Sequence, residues 1–185
     1  ASVRRFLEGK LKLRVNGEKS AVAHVEQRKF LGHRLLRGGG LGIAPKSIER
    51  LKEKVRRITR RNRGVKLSRV IEELNLLMRG WVAYFRHASA KEHMRDLDQW
   101  IRAKVRCYRL KQCKRAWGLF KFLRERELEQ WRAWELAASG KGWWRKAHFA
   151  QANTAMDLAY MEELGLQSLL KRYLELRSDG NRRMR

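Results

Sequence analysis

The periodicity of residues 43–115 constrains the fold more than any other feature of the sequence. Apolar residues recur there every three or four positions, in three successive segments. This spacing matches the 3.6-residue turn of an α-helix, so it predicts three amphipathic helices, each with one apolar face. The predicted apolar positions are Ile48, Leu51, Val55 and Ile58 in the first helix, Ile71, Leu74, Leu77, Trp81 and Phe85 in the second, and Met94, Leu97, Ile101 and Tyr108 in the third.

The opposite faces of these helices carry a dense positive charge. Residues 46–69 contain 11 Lys or Arg and 2 Glu, and residues 101–126 contain 10 Lys or Arg and one Glu. The formal net charge of the 185-residue chain is +26, while its 43% hydrophobic content argues against general disorder. Like charges at this density repel one another, and a polyanion relieves that repulsion. The charge pattern therefore favours a nucleic-acid-binding surface over a device for solubility.

Membrane insertion and secretion find little support in the sequence. Apolar runs stay short of the ~18–20 residues that a transmembrane helix needs, and the start of the chain, ASVRRFLEGK, lacks the apolar core of a signal peptide. Because the chain does not start with Met, we expect a fragment or a processed product. Cys107 and Cys113 point in different directions on one helix, so we expect reduced thiols.

The first 40 residues predict a helix end at 3–9 and then a small β region. LKLRV (11–15) and AVAHV (21–25) alternate around an Asn-Gly turn signal, and KFLGHRLL (29–36) is a third predicted strand. Because so few residues cannot fold alone, we expect a sheet completed elsewhere. An independent β-meander remains an alternative. RGGGLG (37–42) predicts a flexible hinge.

Several local predictions concern helix ends and aromatic residues. Ser68 is the predicted cap of the second helix, about 68–86, and Gly80 within it predicts close approach by another helix or by a nucleic-acid backbone. Trp81 is either a core residue or a platform for base stacking. The third helix is predicted over about 90–115.

The remaining chain is also predicted to be helical. Residues 119–138 predict one or two helices, with apolar positions at Leu123, Leu128, Trp131 and Trp134. SGKGWWRKAHF (139–149) combines basic and aromatic residues, which suits backbone contact with stacking, although core packing of at least one tryptophan is expected. Asn153 is the predicted cap of a helix that ends at Gly165. A last helix is predicted over 167–176, with a frayed tail from Ser178.

The sequence contains no complete catalytic motif. Its five histidines are scattered, and nucleotide-loop, zinc-ribbon and nuclease-like metal patterns are missing. Asp96 and Asp98 face different directions on their helix, so they do not predict a carboxylate pair.

Two groups of motifs resemble the reverse transcriptase/maturase proteins encoded by group II introns. LKLRVNGEKS followed by RKFLG resembles the end of a reverse-transcriptase palm with its primer-grip hairpin. IAPKSIERLKEKVRRITRRNRG, RGWVAYF, DLDQWIRAKVRCYRLKQCKR and SGKGWWR resemble the family's maturase-specific region, also called the thumb or X domain, and the start of its DNA-binding region. The order and spacing of these motifs extend the resemblance over nearly the whole chain.

The resemblance implies a mainly α fold, a helical thumb/X bundle preceded by a small antiparallel β segment. It divides the chain into a palm end (1–40), a thumb/X domain (41–118) and a helical DNA-binding-like extension (119–185). It further implies binding of intron RNA to promote splicing and a clamp on template-primer duplex for RNA-directed DNA synthesis and retrotransposition. A stand-alone basic RNA-binding or assembly protein without polymerase activity is the alternative.

The resemblance also implies functional residues. Lys19 takes the palm lysine position, where it would act as a general acid, and Phe30, Leu31 and Gly32 take the primer-grip positions. His33 stands where the family usually has an aromatic residue. The basic residues expected to contact nucleic acid are Arg56, Arg57, Arg60, Arg61, Arg63, Arg79, Arg102, Arg106, Arg109, Lys111, Lys114, Arg115, Lys141 and Arg145.

The sequence lacks the family's Tyr-x-Asp-Asp carboxylates, which hold two metal ions. We therefore expect the chain to be inactive as a polymerase by itself, with Mg²⁺ bound only where those carboxylates are supplied. The expected partners are intron RNA, template-primer duplex, target DNA and the N-terminal part of the reverse transcriptase. The expected location is the bacterial cytoplasm, in association with nucleoid or ribonucleoprotein, or an organelle.

Overall fold

The computed structural model describes residues 2–16, 29–36 and 38–183. Within these residues the chain forms ten helices and three short strands, so the predicted fold class, mainly α with a small antiparallel β segment, is confirmed. The elements in chain order are α1 (Ser2–Gly9), β1 (Lys29–Phe30), β2 (His33–Leu35), β3 (Leu41–Ile43), α2 (Pro45–Ile58), α3 (Leu67–Phe85), α4 (Lys91–Gln112), α5 (Ala116–Glu125), α6 (Gln130–Ala138), α7 (Trp143–Lys146), α8 (Ala150–Ala155), α9 (Leu158–Glu163) and α10 (Leu169–Arg183).

The three strands form an antiparallel meander in the order β1-β2-β3. The segment predicted as a single strand at 29–36 is a hairpin, because Leu31 and Gly32 both have positive φ (49° and 77°) and make a two-residue turn. Within the segment predicted as a hinge, residues 38–40 lie in the connection between β2 and β3, where the Leu36 amide donates to the Gly40 carbonyl (2.8 Å). Leu41 and Gly42 belong to β3, so the hinge stays a prediction for the residues before them.

The strand predicted at LKLRV does not form. After α1 the backbone turns back on the helix, with the Leu11 and Leu13 amides donating to the carbonyls of Phe6 (3.3 Å) and Leu7 (3.0 Å). These donors satisfy helix-end carbonyls and are not used in a strand ladder. The AVAHV prediction lies outside the described residues.

The β1-β2 hairpin is fixed to the helices. The Gly32 carbonyl accepts from the Ala44 amide (2.9 Å) and from the Ser47 hydroxyl (3.0 Å) at the start of α2. Gly32 has a φ of +77°, and a Cβ there would lie 2.8 Å from the Ser47 Oγ, so this position favours glycine. His33 packs against the ring of Phe85 (4.9 Å between centroids).

The helices enclose one hydrophobic core. α2 packs on α3, α10 packs on both α3 and α4, and α5 and α6 form a helical hairpin. Of the thirteen predicted apolar positions in α2, α3 and α4, nine are buried and Ile48, Ile58, Leu77 and Trp81 pack against the core with partial exposure. The expectation of a core role for Trp81 therefore holds.

Some of the predicted helix caps and apolar positions were wrong. α3 begins one residue before Ser68, which makes no cap hydrogen bond, and Asn153 lies inside α8, while Asp157 caps α9 by accepting from the Tyr160 amide (2.9 Å). Trp131 and Trp134 are exposed because Ala133, Leu136 and Ala137 form the buried face of α6. The tail predicted to fray remains helical to Arg183.

Asp98 holds the C-terminal helix in place. Its carboxylate, buried in α4, accepts from the Ser168 hydroxyl (2.6 Å) and from the amides of Leu169 (2.8 Å) and Leu170 (3.0 Å). These amides form the first turn of α10, where a carboxylate is favoured by the helix dipole. The Tyr173 hydroxyl of α10 in turn donates to the Ala88 carbonyl in the α3–α4 connection (2.6 Å). The two anchors join α10 to the central helices.

We expect Asp98→Ala to lower the free energy of unfolding by about 2–3 kcal/mol, because it removes a charged acceptor and leaves buried amide donors unsatisfied. Asp98→Asn keeps one acceptor oxygen and should lose less. Denaturant unfolding followed by circular dichroism measures both. The exposed Asp96→Ala is the matched control, and an equal loss in that variant would contradict the capping role.

Candidate nucleic-acid interface

The last two turns of α2 and the turn that follows present arginines to solvent. Arg56, Arg57, Arg60 and Arg61 are all exposed, and none forms an ion pair with another described residue. Pro45 opens the helix and Leu51 and Val55 fix its buried face, so Arg56 and Arg57 are directed outward by the same periodicity that builds the core. Arg60 and Arg61 lie in the turn just after the helix, and we call these four residues the α2 arginines. Unpaired guanidinium groups on a rigid helix are suited to phosphate contacts.

Aromatic side chains from α4 and α7 lie next to this helix. The Arg56 guanidinium lies 5.6 Å from the ring centre of Trp100, and the Lys104 ammonium lies 5.4 Å from the same ring and 4.1 Å from the ring of Trp144. The Trp144 and His148 rings meet edge to face at 4.4 Å. We call Arg56, Trp100, Lys104, Trp144 and His148 the Trp100 cluster. It joins the basic face of α2 to the predicted basic-aromatic segment 139–149.

The electrostatics of the cluster favour an anion. Burial lowers the pKa of Lys104, and the positive charges of Arg56 and Arg61 lower it further. Three cations therefore lie close enough to destabilise one another, and an added phosphate would remove this cost.

Three of the fourteen predicted contact residues are engaged inside the protein. The Arg63 guanidinium donates two hydrogen bonds to Glu73 (2.9 Å each) and one to the Ile58 carbonyl (2.7 Å). Arg106 donates from Nε to the Met156 carbonyl (2.9 Å), and Arg109 covers the Phe122 ring at 4.0 Å. These side chains join elements of the fold, so the donor groups used in these contacts are not available to phosphate.

The other basic candidates lie on several surfaces. Arg79 and Arg102 line a cleft between α4 and the start of α10, and Arg102 also lines a second cleft beside Trp100. Lys111, Lys114, Arg115, Lys141 and Arg145 are exposed. Lys146 of the basic-aromatic segment is buried instead, with Nζ 3.2 Å from the Ala137 carbonyl, and burial lowers its pKa.

The primer-grip candidates lie apart from the Trp100 cluster. The side chains of Phe30 and Leu31 are 74% and 67% exposed at the tip of the hairpin, and the Leu31 carbonyl accepts from the Tyr84 hydroxyl (2.7 Å). Gly80, on the same helix as Tyr84, has open space at its Cβ position, so no other helix of the described chain approaches it there. That half of the Gly80 prediction was wrong. Lys19 lies outside the described residues.

Sequence reasoning missed Trp100 and Lys104 as site residues. Both stand on α4 four residues apart, and Trp100 falls outside the apolar positions at Met94, Leu97 and Ile101. A tryptophan off the apolar stripe and one turn before a lysine was the available signal.

The described residues contain no group of three or more His, Cys, Asp or Glu side chains placed to hold a metal ion. The Mg²⁺ prediction stays a prediction. In the same part of the chain no helix combines the length and apolar character needed to cross a membrane. Cys107 and Cys113 are free thiols, and burial raises the pKa of each.

A helical fold with an exposed, unpaired cationic face beside aromatic rings is typical of a nucleic-acid-binding protein. Comparison with known families makes this class specific, because residues 48–127 match the model of the group II intron, maturase-specific domain. This match identifies residues 48–127 as a group II intron maturase-specific domain, which supports a maturase role in splicing and implies binding of group II intron RNA. A search of the curated proteins found no match. The matched range runs from α2 to the end of α5. The palm end lies outside this range, as does most of the 119–185 extension, so both assignments stay predictions.

We expect Arg63→Gln to lower the free energy of unfolding by about 1–2 kcal/mol, since it removes the paired hydrogen bonds to Glu73. The Arg63 hydrogen bond lowers the pKa of Glu73 below its ordinary value. The pair therefore stabilises the fold fully above the usual glutamate pKa of about 4.3, and this stabilisation is lost as pH falls through the lowered pKa.

Urea unfolding of wild type and Arg63→Gln at pH 7 and at pH 3 tests this, and the difference between the two proteins should shrink at pH 3. Arg61→Gln is the control, an exposed arginine whose loss should leave stability within about 0.5 kcal/mol. A pH-independent difference would show that Glu73 is not the partner that matters.

Proposed function

We propose that this chain binds structured group II intron RNA through the exposed arginines of α2 and the Trp100 cluster, and so stabilises the RNA fold that splices. The observation that carries the proposal is the set of four α2 arginines that have no ion-pair partner among the described residues. Such a surface contacts phosphates by charge and shape, and does not read base sequence in a duplex. The RNA would supply the chemistry of splicing.

The alignment of the basic elements supports contact with folded RNA. Arg56 of α2 and Lys104 of α4 both lie near the ring of Trp100, which brings basic side chains of the two helices together. Cations from two helices therefore form one surface. A rigid duplex or junction would contact both sets of cations at once, whereas a flexible single strand would lose conformational entropy to do so. Binding should release counterions and weaken steeply with salt.

We expect charge reversal of Arg56, Arg57, Arg60 and Arg61 to glutamate to weaken intron RNA binding more than tenfold at low salt. The slope of log affinity against log salt should fall by up to about 4, because each lost phosphate contact removes about one unit. Filter binding at several KCl concentrations measures both quantities.

The control replaces four exposed lysines outside α2 with glutamate, so that the net charge change is the same. They are Lys10, Lys91, Lys121 and Lys171. This variant should keep more of its affinity than the α2 variant. Equal losses of affinity in the two variants would show that RNA binding depends only on net charge, which would contradict the proposal.

The β1-β2 hairpin supports a second activity, a clamp on template-primer duplex within a reverse transcriptase. The hairpin exposes Phe30 and Leu31 while three hydrogen bonds, from Ala44, Ser47 and Tyr84, hold its turn on α2 and α3. A rigid turn with an exposed apolar tip is suited to press on a sugar or base at a primer end. Polymerisation would need metal-binding carboxylates from outside this sequence, with Lys19 beside the incoming triphosphate.

We expect Phe30→Ala with Leu31→Ala to weaken binding of an RNA/DNA duplex with a recessed primer end about five- to tenfold, since two apolar contacts are lost. Intron RNA binding should be unchanged. Fluorescence anisotropy measures both ligands. Leu76→Ala, which removes an exposed leucine of α3, is the control. Equal losses for both ligands would contradict a clamp specific to the primer end.

A further inference from the structure

A cleft of about 520 Å³ lies beside the Trp100 cluster, between α4 and the segment formed by the end of α7 and α8. Its volume lies within the ~300–1,000 Å³ of small-ligand pockets. The cleft is lined by Asp96, Gln99, Trp100, Arg102, Ala103, Arg106, His148 and Asn153. It combines an aromatic ring, two amides, a carboxylate, an imidazole and two guanidinium groups.

The lining contains a carboxylate in the middle of a cationic surface. Asp96 is exposed and forms no ion pair with another described residue. A carboxylate repels phosphate, so a site for phosphate alone would be weakened by it. An ionised carboxylate can only accept hydrogen bonds, which favours a ligand that presents N–H groups.

Two further lining residues have acceptor atoms available. The ring Nδ1 of His148 lies 2.8 Å from the Trp144 carbonyl. Because a carbonyl only accepts, Nδ1 must carry the proton, and Nε2 of the neutral ring is then an acceptor. Asn153 uses its amide nitrogen to donate to the carbonyls of Phe149 (3.0 Å) and His148 (3.3 Å), which leaves Oδ1 as the acceptor.

The cationic residues of the cleft are placed beside these acceptors on α4. Arg102 lines the cleft with partial exposure, and Arg106 is oriented by its hydrogen bond to the Met156 carbonyl. Burial and the neighbouring charge of Arg102 lower the pKa of Arg106, so the pair gains from a neutralising phosphate. A nucleotide supplies both groups, an N–H-bearing base edge and an adjoining phosphate.

We propose that this cleft binds one unpaired RNA base, packed against Trp100 with its pairing edge toward Asp96, and with its phosphate near Arg102 and Arg106. Guanine is the best match, since its pairing edge presents two adjacent N–H donors to one carboxylate. The proposal rests on the proposed function, because it assigns a specific contact to an RNA that the α2 arginines bind by charge. The cleft would let the maturase-specific domain recognise a bulged or looped nucleotide, although most of its surface contacts RNA by charge and shape.

The test uses three RNA hairpins with the same stem: one with a single bulged guanosine, one with an abasic site at the bulge, and one fully paired. We expect wild type to bind the guanosine bulge about tenfold more tightly than the abasic bulge, since stacking on an aromatic ring contributes about that much per base. Fluorescence anisotropy at one fixed KCl concentration measures the ratio.

The variants separate the base contact from general RNA binding. Trp100→Leu should reduce the guanosine-to-abasic ratio to near one. Asp96→Asn, outside the Trp100 cluster, should reduce the ratio several-fold while its affinity for the paired hairpin stays within twofold of wild type. Trp117→Leu and Glu92→Gln, an exposed tryptophan on α5 and an exposed carboxylate on α4, are the matched controls and should keep the wild-type ratio. Because Trp100 is partly buried, thermal unfolding is used to check that the Trp100→Leu variant is folded. The double variant His148→Ala with Asn153→Ala changes two exposed residues of the cleft and provides an independent test of the ratio.

A wild-type ratio near one, with all three hairpins bound tightly, would overturn the base site and leave the arginine interface standing. Weak binding of all three hairpins would instead overturn the proposed function. A ratio that survives Trp100→Leu, Asp96→Asn and the His148/Asn153 double variant would place the preference elsewhere on the surface.

Discussion

Repulsion among the basic side chains is the constraint that the rest of this structure satisfies. A net charge of +26 opposes compaction, and several of the cations on α2 have no acidic neighbour in the described chain. The apolar faces of the helices must therefore supply most of the favourable free energy, by burying one continuous core. Ion pairs such as that of Arg63 with Glu73 help locally, at the corner between α2 and α3. The fold holds the charges at an energetic cost that bound RNA recovers.

The C-terminal third of the chain belongs to the same core as the central helices. Asp98 caps α10 from α4, and Tyr173 returns a hydrogen bond to the α3–α4 connection. Asn75 of α3 also holds the loop before α10, by donating to the Gly165 carbonyl (2.7 Å) and accepting from the Gln167 amide (2.9 Å). The proposed boundary at residue 118 remains a prediction. It divides the sequence motifs into two groups, but residues on both sides of it contribute to the same hydrophobic core.

Local periodicity was enough to predict the helical core and the outward direction of the α2 arginines, because both follow from the 3.6-residue turn. What could not be predicted depends on contacts distant in sequence. Ser68 has the chemistry of a cap, but α3 begins before it, and Asp98 caps a helix about 70 residues away. The Trp100 cluster was missed for the same reason, since Lys104 of α4 reaches Trp144 through the packing of α7 on α4.

The connection between α2 and α3 has a consequence for which RNAs the protein can accept. Tyr108 of α4 donates to the Val65 carbonyl (2.8 Å) and Gln112 donates to the same atom (3.3 Å), while Arg63 ties the end of α2 to α3. Hydrogen bonds at both ends of this connection oppose its movement, which favours a fixed separation between the cations of α2 and those of α4. Discrimination among intron RNAs would then arise from the RNA's own geometry. A misfolded RNA would bind more weakly, because the spacing of its phosphates would not match the spacing of the cations.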